Sequence, residues 1–185
     1  MSSHWFLQLA VLAIVVFWVV GAYNRLMRLR NAVASAWAQV EPALGRRSEA
    51  MQEVVELVRE PLAAEAGTLQ SLTDADVRTR QAAEAVRATR ARAEEVSQWV
   101  AAEAALASPA ARLRALIELQ PALLQDPVGS ARLGPALAAW IDAEPRIGFA
   151  RQTFNEAVQV YNHALHQWPT RLITTVFGFA GAGRA

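Results

Sequence analysis

The chain contains no cysteine and no lysine. Without cysteine it can form no disulfide, thiolate metal site, cysteine nucleophile or lipoprotein attachment. All eighteen basic residues are arginine and alanine is abundant, a bias that matches a GC-rich bacterial genome. Neither sign of charge is in excess. The net charge of +1 gives no strong field that would point to nucleic acid or an acidic substrate. No G-x-x-x-x-G-K-[ST], G-x-G-x-x-G or G-x-S-x-G segment occurs, so a phosphate loop and a serine-hydrolase elbow lack support. Period-two alternation is missing as well, which argues against sheet.

What is present begins at once. Residues 6–22, FLQLAVLAIVVFWVVGA, hold one polar side chain, Gln8, and no charge, with Trp5 and Tyr23 at the edges. At about 1.5 Å per helical residue, 5–23 span roughly 28 Å, close to the hydrocarbon thickness of a bilayer. The expectation is a single-pass transmembrane helix over 5–23 behind a short extracytoplasmic N-terminus, 1–4. MSSH carries no Arg, whereas Arg25, Arg28 and Arg30, then Arg46 and Arg47, follow the run. The positive-inside bias therefore puts the N-terminus outside and the rest in the cytoplasm. A cleaved signal peptide is the rival, because Val20-Gly21-Ala22 loosely matches a cleavage site. The missing basic n-region and the arginines directly after the run argue against it.

From residue 24 onward the apolar pattern is heptad-like and predicts helices. Trp37, Leu44, Met51 and Val58 recur every seven residues, interleaved with Leu26, Val33, Val40 and Val54, and Arg47 intrudes on the seam. This seam starts where the anchor ends, so one long rod is expected, bent at Pro42 and Gly45 and ended by Pro61 and Gly67. A second helix is predicted from a Thr73-Asp74 cap to about 107, with a mostly small seam and charged outer faces. A shorter third helix covers roughly 110–124. Asp126-Pro127, Gly129 and Gly134-Pro135 read as a loop. In the last helix Leu133, Trp140, Ile147, Phe154, Tyr161 and Trp168 keep a stride of seven; Pro145 and Gly148 predict a kink or restart, and Pro169 the end. Short connections favour antiparallel neighbours. The fold expected is all-α: an N-terminal transmembrane helix continuing into an antiparallel four-helix bundle, 24–169, followed by an apolar C-terminal tail, 170–185.

Few residues stand out as chemical candidates. His163 and His166 are three apart on one helical side, yet neither has Glu three residues before it as a di-iron bundle requires, and surface histidines are the plainer reading. No catalytic residue, metal or cofactor is expected. Asn24, Asn31, Asn155 and Asn162, with Tyr23 and Tyr161, lie inside helices that asparagine does not favour. They form either a polar site between the first and last helices or cross-bundle hydrogen bonds that set register. Arg47 either pairs with a carboxylate such as Glu144 or Glu156 or sits on the surface. Arg25, Arg28 and Arg30 are candidates for lipid headgroups. The apolar stretch 172–179 either docks at the membrane interface beside them or packs against the base of the bundle.

Two blocks then become recognisable. Tyr23-Asn24, Leu29-Arg30-Asn31, Ala36-Trp37 and Arg46-Arg47 lie in 23–55; Phe154-Asn155, Tyr161-Asn162, Trp168-Pro169 and Gly178-Phe179 lie in 150–179. Over these roughly 65 residues the chain resembles the LemA family of bacterial membrane proteins, with Pro42, Pro145 and Phe154 as departures. The resemblance implies a membrane helix and a cytoplasmic helical bundle, and brings no catalytic activity. Some members are linked with membrane stress and some relatives with magnetosome membranes. The function expected is a non-enzymatic scaffold or adaptor at the cytoplasmic face of a bacterial inner membrane. A self-assembling membrane-shaping component is the alternative, and a small-molecule sensor the third. The partners expected are the lipid bilayer and other membrane or cytoplasmic proteins, with self-association open and nucleic acid excluded.

Overall fold

The computed structural model describes residues 3–125, 127–167 and 178–185, and among them every regular element is a helix. Helix α1 spans Ser3–Val58, α2 Ala66–Thr89, α3 Ala93–Glu118, the single-turn α4 Ala122–Gln125, and α5 Pro127–His166; a short 3₁₀ turn covers Ala63–Glu65. The apolar N-terminal stretch and the first bundle helix are one unbroken helix of 56 residues. The interior prolines do not interrupt their helices. Pro42, Pro135 and Pro145 are exposed, and so are Ala38, Ala131 and Ile141 four residues earlier, so each carbonyl that loses its donor opens toward water. The restart expected near Pro145 is therefore absent.

The heptad seam explains the packing. Leu26, Val33, Trp37, Val40, Leu44, Met51, Val54 and Val58 on α1 are all buried, as are Leu133, Trp140, Ile147, Phe154 and Tyr161 on α5. These two helices lie side by side, and α2 and α3 form the opposing pair. The chain runs up, down, up and down, so α5 returns toward the stem: Arg25 at the base of α1 donates to Gln167 Oε1 beyond the end of α5. Two apolar clusters fill the interior. The stem-proximal one centres on Trp37, whose ring meets Trp99 and Phe154 edge to face at 4.9 and 5.3 Å. The distal one holds Met51, Leu72, Leu113, Ile117 and Trp140.

Four boundaries differ from the sequence expectation. The second helix begins at Ala66, so Thr73 and Asp74 lie inside it and do not cap it, the Thr73 hydroxyl donating to the Leu69 carbonyl. The second helix does not run to 107: it ends at Thr89, and a tight turn at Arg90 and Ala91, both left-handed at φ 54° and 63°, reverses the chain. The predicted third helix is the far end of α3, which passes through Pro109 without a break. The loop expected over 126–135 is helical from Pro127, since proline in a first turn lacks only a donor that has no partner there. Trp168 and Pro169, and the apolar stretch 172–177, lie outside the described residues.

Candidate functional site

Between the two apolar clusters all four long helices contribute polar groups to one level of the bundle. Arg47 occupies a seam position of α1, so the heptad geometry that buries Leu44 and Met51 buries it too. Its guanidinium forms a fork with Glu103 on α3, Nη1 donating to Oε2 at 2.8 Å and Nη2 to Oε1 at 2.5 Å. Glu144 on α5 stands 3.8 Å away at the half-open edge. Burial alone would lower the Arg47 pKa, but the Glu103 hydrogen bonds and the charges of Glu103, Glu144 and Asp76 hold it above its ordinary value. About 100° around α1, Ser48 Oγ donates to Asp76 Oδ2 on α2 at 2.6 Å, and Gln52 and Arg80 reach the same oxygen at 3.3 and 3.2 Å. A planar fork met by a carboxylate of matching geometry admits one relative height of α1 and α3. This level therefore fixes helix register. It is built of paired charges, and among the described residues no group of three acidic or histidine side chains could hold a metal.

Sequence reasoning found Arg47 but not its main partner. Glu144 is the outer one, and Glu156 instead accepts from Gln152 on the surface of α5. Asp76 carried a legible signal, a carboxylate in the row Leu69, Leu72, Asp76, Thr79, Ala83 and Val86, which are all buried at spacings of three and four.

The asparagines divide into two groups. Asn24 and Asn31 are exposed, each two residues before a buried seam residue, Leu26 or Val33, and hence about 200° around the helix from it. They form no site with α5. Asn155 and Asn162 are half-buried and bind the main chain of the C-terminal segment. The Asn162 side chain accepts from the Ala182 N–H at 2.9 Å and donates to the Ala182 carbonyl at 2.8 Å. Asn155 does the same for Ala185, at 2.8 and 2.5 Å. The buried Tyr161 hydroxyl donates to the Ala180 carbonyl at 3.0 Å, and burial raises its pKa against the lowering charge of Arg30. The Gly183 N–H donates to the Ala91 carbonyl, closing an antiparallel bridge between Arg92 and Ala182. The polar site expected between first and last helices is thus a clasp between the last helix and the segment that follows it.

At the stem, Tyr23 meets the Phe179 ring edge to face at 5.8 Å. Arg25 and Arg28 are exposed and Arg30 is half-buried. His163 and His166 are exposed on the last turn of α5, with His163 Nε2 3.0 Å from the Gln167 amide nitrogen. Residues 178–185 pack against the bundle, with Phe179, Ala182 and Ala185 on its stem-proximal cluster.

Compared with known proteins, residues 36–183 match the sequence model of the LemA family. No curated protein matches the chain.

Proposed function

The chain belongs to the LemA family, and from that premise we propose that it is a membrane-anchored, non-enzymatic scaffold at the cytoplasmic face of a bacterial inner membrane. One observation carries the reading. The apolar stretch of α1 has a mean hydropathy of 2.3 over eighteen residues, none of them buried, and it belongs to the same helix that supplies the bundle core. A helix apolar on all sides and left uncovered by the described residues needs lipid as its cover. Trp5, Phe6, Ile14 and Phe17 are all at least two-thirds exposed. Because stem and bundle share one helix, the bundle is held at a set height and angle, as suits a protein that presents its faces to neighbours. The arginines at 25, 28 and 30 support the orientation.

The absence of native cysteine makes the topology directly testable. Ser2→Cys should react with an impermeant maleimide on intact spheroplasts, and Glu84→Cys only after lysis. Labelling of Glu84→Cys from outside would overturn the orientation, and release of the chain by alkaline carbonate would overturn the anchor. For the scaffold role, crosslinking in native membranes should join the α2 or α3 surface reproducibly to one protein; lipid-only products would refute it.

A further inference from the structure

Residues 180–185 are held by main-chain hydrogen bonds, with Ala182 and Ala185 resting on the stem-proximal cluster. Each of two asparagine amides accepts from the N–H and donates to the C=O of a single residue, as a neighbouring strand would. The spacings agree. Asn155 and Asn162 are seven residues apart on a helix, about 10.5 Å along its axis, and Ala182 and Ala185 are three residues apart, about 10 Å in extended chain. Tyr161 and the Ala91 carbonyl add one hydrogen bond each.

Beyond that contact, side chains contribute mainly a steric filter. Ala180, Gly181 and Arg184 are exposed. Gly183 is buried, and a Cβ there would lie 2.7 Å from Ala93 Cα and 2.8 Å from Val96 Cβ. The groove thus accepts an extended segment of small residues with glycine at that one position. The chain's own sequence, Ala-Gly-Ala-Gly-Arg-Ala, meets that requirement, and every further copy of the chain carries it.

The geometry points to a strand-docking site, formed by Asn155, Tyr161 and Asn162 with the turn at 91–93, that takes residues 180–185 of a second copy of this chain in exchange for its own. The contacts are identical within a chain or between two, so only tether length and local concentration decide between them. Ten residues, 168–177, join Gln167 to Gly178. Over these eleven residue steps the contour reaches at most about 40 Å, more than the roughly 20–24 Å width of a bundle two helices across. The inference rests on the anchored reading in one respect: copies standing in one membrane hold their grooves at one height and raise the effective concentration of neighbouring segments.

The test uses two single-cysteine full-length chains. Gln159 and Arg184 are both exposed and line the same surface hollow. A chain bearing both Gln159→Cys and Arg184→Cys should close on itself with a short bismaleimide in dilute detergent, which confirms their proximity. Gln159→Cys and Arg184→Cys chains reconstituted together in vesicles should give a mixed crosslinked dimer. Adding Gly183→Val to the Arg184→Cys chain should reduce that dimer at least tenfold, as should Asn155→Ala with Asn162→Ala in the other chain. The glycine substitution leaves the recipient groove intact, so the result stands even if the asparagine variant folds poorly. Absence of the mixed dimer, or its persistence with Gly183→Val, would overturn the exchange while leaving the maleimide topology result untouched.

Discussion

Glu103 is the most informative residue to remove. Its carboxylate and the Arg47 guanidinium have side chains only 12% and 5% exposed. Glu103→Leu leaves a buried cation whose nearest remaining carboxylate, Glu144, is 3.8 Å away and 45% exposed. Stranding one member of a buried pair costs about 3–5 kcal/mol, a large part of the roughly 5–15 kcal/mol that holds a domain folded. At about 2–4 °C per kcal/mol for a chain of this size, the melting temperature should fall by roughly 6–20 °C. Arg47→Met should cost a similar amount by stranding Glu103. The double variant, apolar at both positions, should return to within about 1 kcal/mol of the parent, because the desolvation of both charges is relieved together. Urea titrations of detergent-solubilised protein, followed by tryptophan fluorescence and circular dichroism, measure the cycle. Because Arg47 is held above its ordinary pKa, its share of the stability is fully present below that ordinary value and disappears only above it. The Arg47→Met cost should therefore not fall through deprotonation of Arg47 between about pH 5 and 9. Single-variant costs below about 1 kcal/mol, the range of exposed pairs, would show that the fork is not the buried register lock described above.

Phe154 packs edge to face on Trp37 and is fully buried, so Phe154→Ala should cost about 3–5 kcal/mol in the same urea assay. Tyr161 keeps its proton to a higher pH than a free phenol because burial favours the neutral form; its stabilisation is complete below about pH 10 and is lost as pH rises through the folded value. Absorbance at 295 nm should show tyrosinate forming above about pH 10 that is missing in Tyr161→Phe; identical titration curves above about pH 10 in the two proteins would contradict the buried hydroxyl. Val15→Arg, in the middle of the stem, should oppose insertion by about 2.5–3.5 kcal/mol and move a substantial fraction of the chain into the carbonate-soluble supernatant.

The parts of the fold legible in the sequence are those that repeat locally. The stride from Leu133 to Tyr161 and the seam from Leu26 to Val58 can be read as buried faces because each residue's fate follows from neighbours three, four or seven positions away. Glu103 cannot be read this way. Its role depends on α3 facing α1 across the bundle, whereas the residue pattern puts the division between the second and third helices near 107. With the boundary displaced, Glu103 falls in the last turn of the wrong helix, and the carboxylates offered to Arg47 are those of α5, the helix that lies alongside α1. Asn24 and Asn31 fail for a different reason. Their residue type invites a common explanation with Asn155 and Asn162, but their phase relative to Leu26 and Val33 already turns them outward.

The turn at 90–92 has no local signature. Arg90 and Ala91 adopt left-handed backbone without glycine, asparagine or proline nearby, against a preference that normally excludes side chains with a Cβ. Part of what holds them there is local: the Ala91 N–H reaches back to the Val86 carbonyl at 2.8 Å, as in a helix C-terminal motif. The rest arrives from the far end of the chain. The Ala91 carbonyl accepts from Gly183, Arg92 bridges Ala182, and Gly183 lacks the Cβ that would collide with Ala93. The nearest sequence mark of this helix end is thus a glycine some ninety residues downstream, beyond the reach of any window used to find turns. The same dependence joins the two halves of the C-terminal clasp. A segment that displaces residues 180–185 from the groove has to satisfy the Ala91 carbonyl as well as the asparagines, so occupation of the groove and the reversal between α2 and α3 are one structural event.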